Sequence, residues 1–195
     1  KGINTGNLSA YIHDEPHKKR VPVVKGASIA KWKYSFQNKY LDKSFDEFVS
    51  CGDIETLSHE KLMMKRIGVY PTVCYDNNGM ACLHTIHTIR ITDKRFSPKY
   101  VMALLNTKLI GYIFRLRVPL KGKVFPEFRV FDLNKQIPIK IASRKEQAEI
   151  VKYVNEILAH EDEITMLEEK INQCVYSLYG LTENEVEMVE ETYRR

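Results

Sequence analysis

Up to about residue 140 the apolar positions fall in short alternating runs, at Ser9 to Ile12, Val69 to Tyr75 and Ala81 to Ile91. Alternation with period two predicts strands that bury one face. Asp76-Asn77-Asn78-Gly79 separates two of these runs, and an Asn-Gly so placed predicts a hairpin. Ser97-Pro98 then opens a helical pattern, with Pro at its preferred first position and Val101, Leu104, Leu105 and Leu109 at helical spacing. This predicts a core helix over residues 99–114, with a further strand expected over 125–131.

The pattern changes abruptly near residue 143. Ser143-Arg144-Lys145-Glu146 is a capping box, and Ile150, Val154, Ile157, Ile164, Ile171, Val175 and Leu178 recur at intervals of three, four or seven. Glu161 and Glu168 interrupt that seam, which predicts a bend near His160 or a polar, shorter-lived contact rather than a continuous buried coiled coil. Thr182-Glu183-Asn184-Glu185 repeats the box after Gly180, so a last short helix is expected over 183–193. The expected fold class is α+β: a curled, mostly antiparallel sheet domain over residues 1–142, then a helical tail over 143–195.

Composition narrows the class. The chain has 195 residues, 44% hydrophobic and 10% aromatic, with nine Gly and seven Pro, which suits a folded domain and neither a fibrous nor a disordered chain. No apolar run reaches the roughly 18 residues of a spanning helix, so no membrane partner is expected. The first residue is Lys, and a piece of a longer polypeptide is expected.

The net charge of +5 conceals a division. Residues 1–140 hold 24 Lys and Arg against 12 Asp and Glu, a balance of +12, whereas residues 141–195 hold 6 against 13, a balance of −7. A basic body with an acidic tail points to a polyanion for the body, and to protein or solvent for the tail. The basic residues cluster at His17 to Arg20, at Lys31 and Lys33 around Trp32, at Lys65-Arg66, at Lys94-Arg95, and at Arg115 and Arg117 followed by Lys121 and Lys123. Lys31 to Tyr40 interleaves lysines with Trp32, Tyr34, Phe36 and Tyr40; Phe36 is expected in the core, and the other three suit either core or sugar and base contacts.

Motifs of chemistry are missing. There is no dinucleotide or Walker glycine loop, no Gly-x-Ser-x-Gly elbow, no His-Glu-x-x-His, and no Asn-Pro-Pro-aromatic signature of amino-methyltransferases. Cys74, Cys82, His84 and His87 are zinc-ligand types, but their spacing is not that of a knuckle, and strand alternation turns His87 away from Cys82 and His84. Asp53 with Glu55, or Glu127 near Arg129, would be acidic partners for Mg²⁺ of a kind that chance often supplies. Catalytic and metal residues are therefore expected to be absent. Four scattered cysteines suit a reducing cytoplasm.

Several stretches, in order, carry a resemblance. Gly2-Ile3-Asn4-Thr5-Gly6-Asn7 with Ala10-Tyr11-Ile12, then Val21-Pro22-Val23-Val24-Lys25-Gly26 through Ile29 and Trp32, then Lys61 to Ile67 with Tyr75-Asp76, then Ala103 to Leu109, resemble the TaqI-like C-terminal specificity domain. Gln136-Ile137-Pro138-Ile139 with Glu146-Gln147 and Ile150, and Leu178 to Glu183, resemble the junction and spacer shared with type I specificity subunits. Ser28 stands where that pattern has Asp, and Thr107 where it has Ser. The resemblance implies sequence-specific binding of duplex DNA by a target-recognition domain without catalysis of its own. Its partners would be the methyltransferase, and possibly the nuclease, of the same polypeptide; S-adenosylmethionine is expected in the parent and no cofactor in this chain. Clustering then nominates Lys31, Lys33, Lys65, Arg66, Arg115, Arg117, Lys121 and Lys123 for DNA contact, with Lys18, Lys19 and Arg20 behind them. Gly2, Thr5 and Gly6 are expected to shape a turn. The alternative is a protein-interaction module that docks through its amphipathic C-terminal helices; RNA binding shares the charge evidence.

Overall fold

Val23 and Val24 are adjacent in one strand and face opposite ways, and each enters a different core. The computed structural model describes residues 2–51, 57, 59–117, 127–129, 135–160 and 162–194. Among them the strands are β1 (Ile12–His13), β2 (Arg20–Val24), β3 (Tyr40–Asp42), β4 (Lys61–Lys65), β5 (Val73–Asp76), β6 (Ala81–Cys82) and β7 (Ile86–Ile89). The helices are α1 (Leu8–Tyr11), α2 (Pro98–Asn106), α3 (Lys108–Arg117), α4 (Arg144–Ala159), α5 (Ile164–Tyr179) and α6 (Glu183–Arg194). The α+β class read from the sequence is the one observed. The chain forms two compact units, residues 1–66 with 72–91, and residues 67–71 with 92–195.

The first unit holds two small sheets. One has the order β1-β3-β2-β6, antiparallel except for the parallel β2–β6 pair; the other is antiparallel, in the order β5-β4-β7. Strand alternation sends Val23 and Ala81 into a core with Ile3, Leu41, Phe48, Leu57 and Leu83. Val24 and Cys82 enter a second core with Ile29, Met63, Cys74, Met80 and Ile86, so this second core joins the two sheets. The opening stretch runs beside it: Ile3 N–H donates to Cys82 O at 2.6 Å, and a Cβ on Gly2 would lie 2.2 Å from Leu83 O. Gly2 is thus required by close backbone approach, and Thr5 is buried.

Two local expectations fail here. The Asn-Gly turn does not close a hairpin, because β5 pairs with β4 while β6 leaves for the other sheet beside β2. Its turn is closed by a side chain instead: the Asp76 carboxylate accepts from Asn78 N–H and Met80 N–H, both at 3.0 Å, which frees β6 from pairing back onto β5. Ser9 to Tyr11 lie in the single turn α1, and extended pairing begins only at Ile12.

In the second unit the expected helix is present but broken into α2 and α3. Thr107 Oγ1 donates to Leu104 O at 2.6 Å and Thr107 leaves helical geometry, at ψ 156°. The buried Asn172 accepts the Lys108 N–H at 3.0 Å, so the break is capped from α5. Both capping boxes form, Ser143 with Glu146 and Thr182 with Glu185. The seam bends at His160, which ends α4, and Ile150, Val154, Ile157, Ile171 and Val175 are buried as α4 packs on α2 and α5. Residues read as a tail therefore fold together with residues 92–117. Of the strand expected over 125–131, Glu127 forms a single bridge with Ile67, while residues 125, 126, 130 and 131 lie outside the described residues.

Candidate nucleic-acid interface

Four of the eight nominated residues lie on the three-stranded sheet, Lys31, Lys65 and Arg66 at one end and Lys33 farther along the edge beside Tyr75. Lys65 closes β4 opposite Ile86 of β7, and Arg66 N–H donates to Thr85 O at 3.0 Å. On the other side of the sheet, Trp32 N–H donates to Val73 O at 2.9 Å, which seats residues 31–33 along the outer edge of β5. Met64 faces Val73 across β4 and β5, so Lys31 and Lys65 are separated by one strand, about 10 Å. Lys31, Lys33, Lys65 and Arg66 are all half-buried, which suits stems packed on the sheet with their cationic ends at its rim.

The row continues past Arg66. His84 is exposed, with its carbonyl 3.4 Å from Arg66 Nη1, and Gly26 N–H donates to Thr85 Oγ1 at 2.9 Å, which brings the exposed Lys25 to the same end. Charge clustering passed over Lys25 and His84. A better signal was the acids: residues 21–41, 61–75 and 77–92, which build this end, contain no Asp or Glu. Of the carboxylates that flank these segments, Asp76 lies at the far end of β5 and is fully buried against Lys61 at 2.5 Å. Residues 61–75 and 77–92 thus bring cations and no carboxylate to this end of the sheet.

Trp32, Tyr34 and Phe36 hold the turn that carries Lys31 and Lys33. Ala30 N–H donates to Lys33 O and Ser35 N–H to Ser28 O, both at 2.9 Å. Trp32 is 2% exposed, so its ring belongs to the core. Tyr34 OH donates to Asp76 Oδ1 at 3.0 Å and accepts from Asn78 Nδ2 at 2.9 Å; burial pushes its pKa up to about 12 and keeps it neutral. Phe36 and Tyr40 meet edge to face at 5.6 Å, both half-buried.

The remaining nominees are elsewhere. Arg115 and Arg117 are exposed on α3 of the second unit, where Arg115 Nη1 donates to Tyr70 OH at 2.9 Å and Arg117 Nη1 to Gln136 O at 2.6 Å. Lys121 and Lys123 lie outside the described residues. Lys18 and Lys19 are exposed before β2, at the opposite end of that strand from Lys25. Arg20 is engaged with Asp42, Nε to Oδ1 at 3.1 Å, and the same carboxylate is held below the ordinary range by its bonds from His13 and Arg20.

The zinc-type residues do not converge. Cys74 and Cys82 are buried around Met63, with Cys82 Sγ 3.3 Å from its sulfur, whereas His84 is exposed and His87 is buried. Burial pushes the Cys82 thiol up to about 12 and raises that of Cys74, which disfavours the thiolates zinc requires. Among the described residues, no three His, Cys, Asp or Glu are grouped as a metal site needs. Asp53 and Glu55 lie outside those residues, and Glu127 pairs through its backbone with Ile67.

The model of the TaqI-like C-terminal specificity domain matches residues 21–139, more than half of the chain. The chain belongs to that family. Among solved structures it is similar to the type IIL restriction-modification enzyme MmeI, determined in complex with DNA, with a TM-score of 0.65 and 10% identity. The match covers 99% of this chain and 34% of MmeI, so the chain spans about a third of that enzyme's length. At such identity the likeness establishes the fold. Comparison with the curated proteins gives no match. The matched stretch of this TaqI-like domain contains the whole row from Lys25 to Thr85. It also contains Asn106-Thr107-Lys108, which serves the fold through the α2–α3 break. Among the described residues no helix is long and apolar enough to cross a membrane.

Proposed function

We propose that this TaqI-like specificity domain binds duplex DNA and selects the target sequence for a restriction-modification methyltransferase, and that it performs no chemistry itself. The observation that carries the reading is the row of Lys25, Lys31, Lys33, Lys65, Arg66 and His84 on segments 21–41, 61–75 and 77–92, which contain no Asp or Glu. Cations spaced across a sheet end neutralise phosphates and fix register, while the amides and hydroxyls between them reach base edges. Arg115, Arg117, Lys121 and Lys123 stay in the proposal as a second set of contacts. The functional division into recognition domain (1–142) and spacer (143–195) is part of it too. So are the methyltransferase and any nuclease of the same polypeptide, the S-adenosylmethionine the parent would use, and a cytoplasmic setting.

The protein-docking alternative has less support, because the seam it would offer to a partner is filled within the second unit by α2, α4 and α5. Binding to duplex DNA, single-stranded DNA and duplex RNA across a salt series tests the proposal. Duplex DNA is expected to bind tightest, with a log-log slope of about −0.9 per neutralised phosphate, roughly −4 to −5 for the row. Equal binding to all three, or a slope near zero, overturns it.

A further inference from the structure

We propose that Trp32 is a positioning residue of this interface: its buried indole fixes a left-handed turn that sets Lys31 and Lys33 toward the DNA backbone, while the ring itself touches no base. The inference rests on the reading of the sheet end as a DNA interface. It starts from a backbone that ought to be unfavourable. Trp32 has φ +72°, and among the described residues Asn38 is the other non-glycine residue with positive φ. Asn visits that region readily, whereas a bulky side chain occupies it only where the surroundings impose it.

Neither simple explanation accounts for Trp32. A turn alone would be served by Gly, which closes it without strain. Core filling alone would be served by a Trp in ordinary extended backbone, as the neighbouring Tyr34 is in its bridge to Ile29. The two features together do something that neither does separately. The left-handed residue reverses the chain between two lysines; its backbone ties the reversal to Val73 and Cys74 of β5, and its indole, 2% exposed, is buried beneath it. Tyr34 pins the exit of the turn to Asp76 and Asn78. Two long, flexible cations thus start from Cα positions fixed on the same edge as Lys65, so less freedom is lost when they meet phosphates.

The chain contains one tryptophan, so its fluorescence reports this turn alone. The experiment titrates the full chain with duplex DNA at several salt concentrations, following affinity and Trp emission. The proteins are wild type, K31Q/K33Q, W32G, the W32G/K31Q/K33Q triple variant and W32F. In the wild type, emission stays that of a buried indole and is not quenched at DNA saturation. K31Q/K33Q weakens binding about 10-fold. W32G weakens it by a similar factor and lowers the salt slope, and the triple variant is less than about 2-fold weaker than W32G, since the lysines there no longer hold fixed positions. W32F, which keeps a buried ring, binds within about 2-fold of wild type.

If K31Q/K33Q has no effect on binding, the interface reading fails at this turn. If the lysines matter equally with and without Trp32, that reading stands and the positioning role is overturned. Strong quenching of wild-type emission by DNA would place a base on the indole and also overturn it, a result that holds whether or not W32G folds.

Discussion

Lys31, Lys33, Lys65 and Arg66 are half-buried on the three-stranded sheet, where Arg66 Nη1 donates to His84 O at 3.4 Å, whereas Arg115 and Arg117 are exposed on a helix of the second unit and bonded to Tyr70 OH and the Gln136 carbonyl. The same contrast runs through the ion pairs. In the first unit Lys61 and Asp76 are fully buried, with neither side chain exposed, and the carboxylate also closes the 76–80 turn. In the second unit Lys108 bridges Glu169 at 3.0 Å and Glu190 at 2.6 Å, partly open to water, and joins α3 to α5 and α6. The first unit buries Asp76 against Lys61 beneath the sheet that carries the row, whereas in the second unit Lys108 staples helices together. Charge clustering along a chain cannot distinguish these uses, because both place Lys and Arg side by side.

Breaking the buried pair should have the largest effect. Asp76→Ala strands the Lys61 ammonium, which has no exposure and keeps Leu57 O at 2.8 Å, and removes the acceptor for Asn78 and Met80 N–H. Removal of one partner from a buried pair costs about 3 to 5 kcal/mol, so urea titration should show the first unit largely lost. Adding Lys61→Met should recover part of this, since the stranded charge goes but the two amides stay unpaired. Full recovery would mean that the turn does not depend on Asp76.

Lys108→Met comes next, at about 2 kcal/mol, because its partners are partly solvated. It also carries a pH signature. Burial opposes the Lys108 charge, but hydrogen bonds to Glu190 and Glu169 outweigh it and raise its pKa. Burial likewise opposes the Glu169 charge, and bonds from Gln173 and Lys108 outweigh it and lower its pKa. A raised lysine pKa gives stability that is complete below its unfolded value, about 10.4, and is lost as pH rises through the folded one. A depressed glutamate pKa gives stability that is present above about 4.3 and is lost as pH falls through its folded value. Melting temperature against pH should therefore show two shoulders, both flattened in Lys108→Met.

Much of the architecture could be read from local pattern. The two capping boxes and the apolar seam of α4 and α5 follow from spacing alone, and the bend at His160 is one of the two outcomes that spacing allowed. What pattern could not show was pairing between distant segments. Asn78-Gly79 marks a turn, but the departure of β6 to join β2 depends on Asp76 closing that turn and on Cys82 and Val24 sharing a core. Thr107 sat in an unbroken helical period, and its break became favourable because Asn172, 64 residues on, caps Lys108. At the site, Trp32 looked equally suited to core or ligand, and only burial decided it. Lys25 and His84 belong to no run of basic residues; the sheet brings them to Arg66.

The smallest expected effects test the comparison most directly. Lys65→Gln with Arg66→Gln should weaken duplex binding about 10-fold, near 1.4 kcal/mol, lower the salt slope by roughly 1 to 2, and leave unfolding within about 0.5 kcal/mol of wild type. Arg115→Gln with Arg117→Gln should cost stability as well as binding. The first loses a hydrogen bond to Tyr70 and a cation–π contact at 5.6 Å, and the second its bond to Gln136 O, together about 1 kcal/mol of stability. Both arginines are exposed, so a share of the salt slope would go with them if they also meet phosphates. Measuring slope and stability on both double variants therefore separates the two uses of positive charge. A slope that falls only in Arg115→Gln with Arg117→Gln would move the DNA interface to the second unit and leave the acid-free sheet end without a ligand.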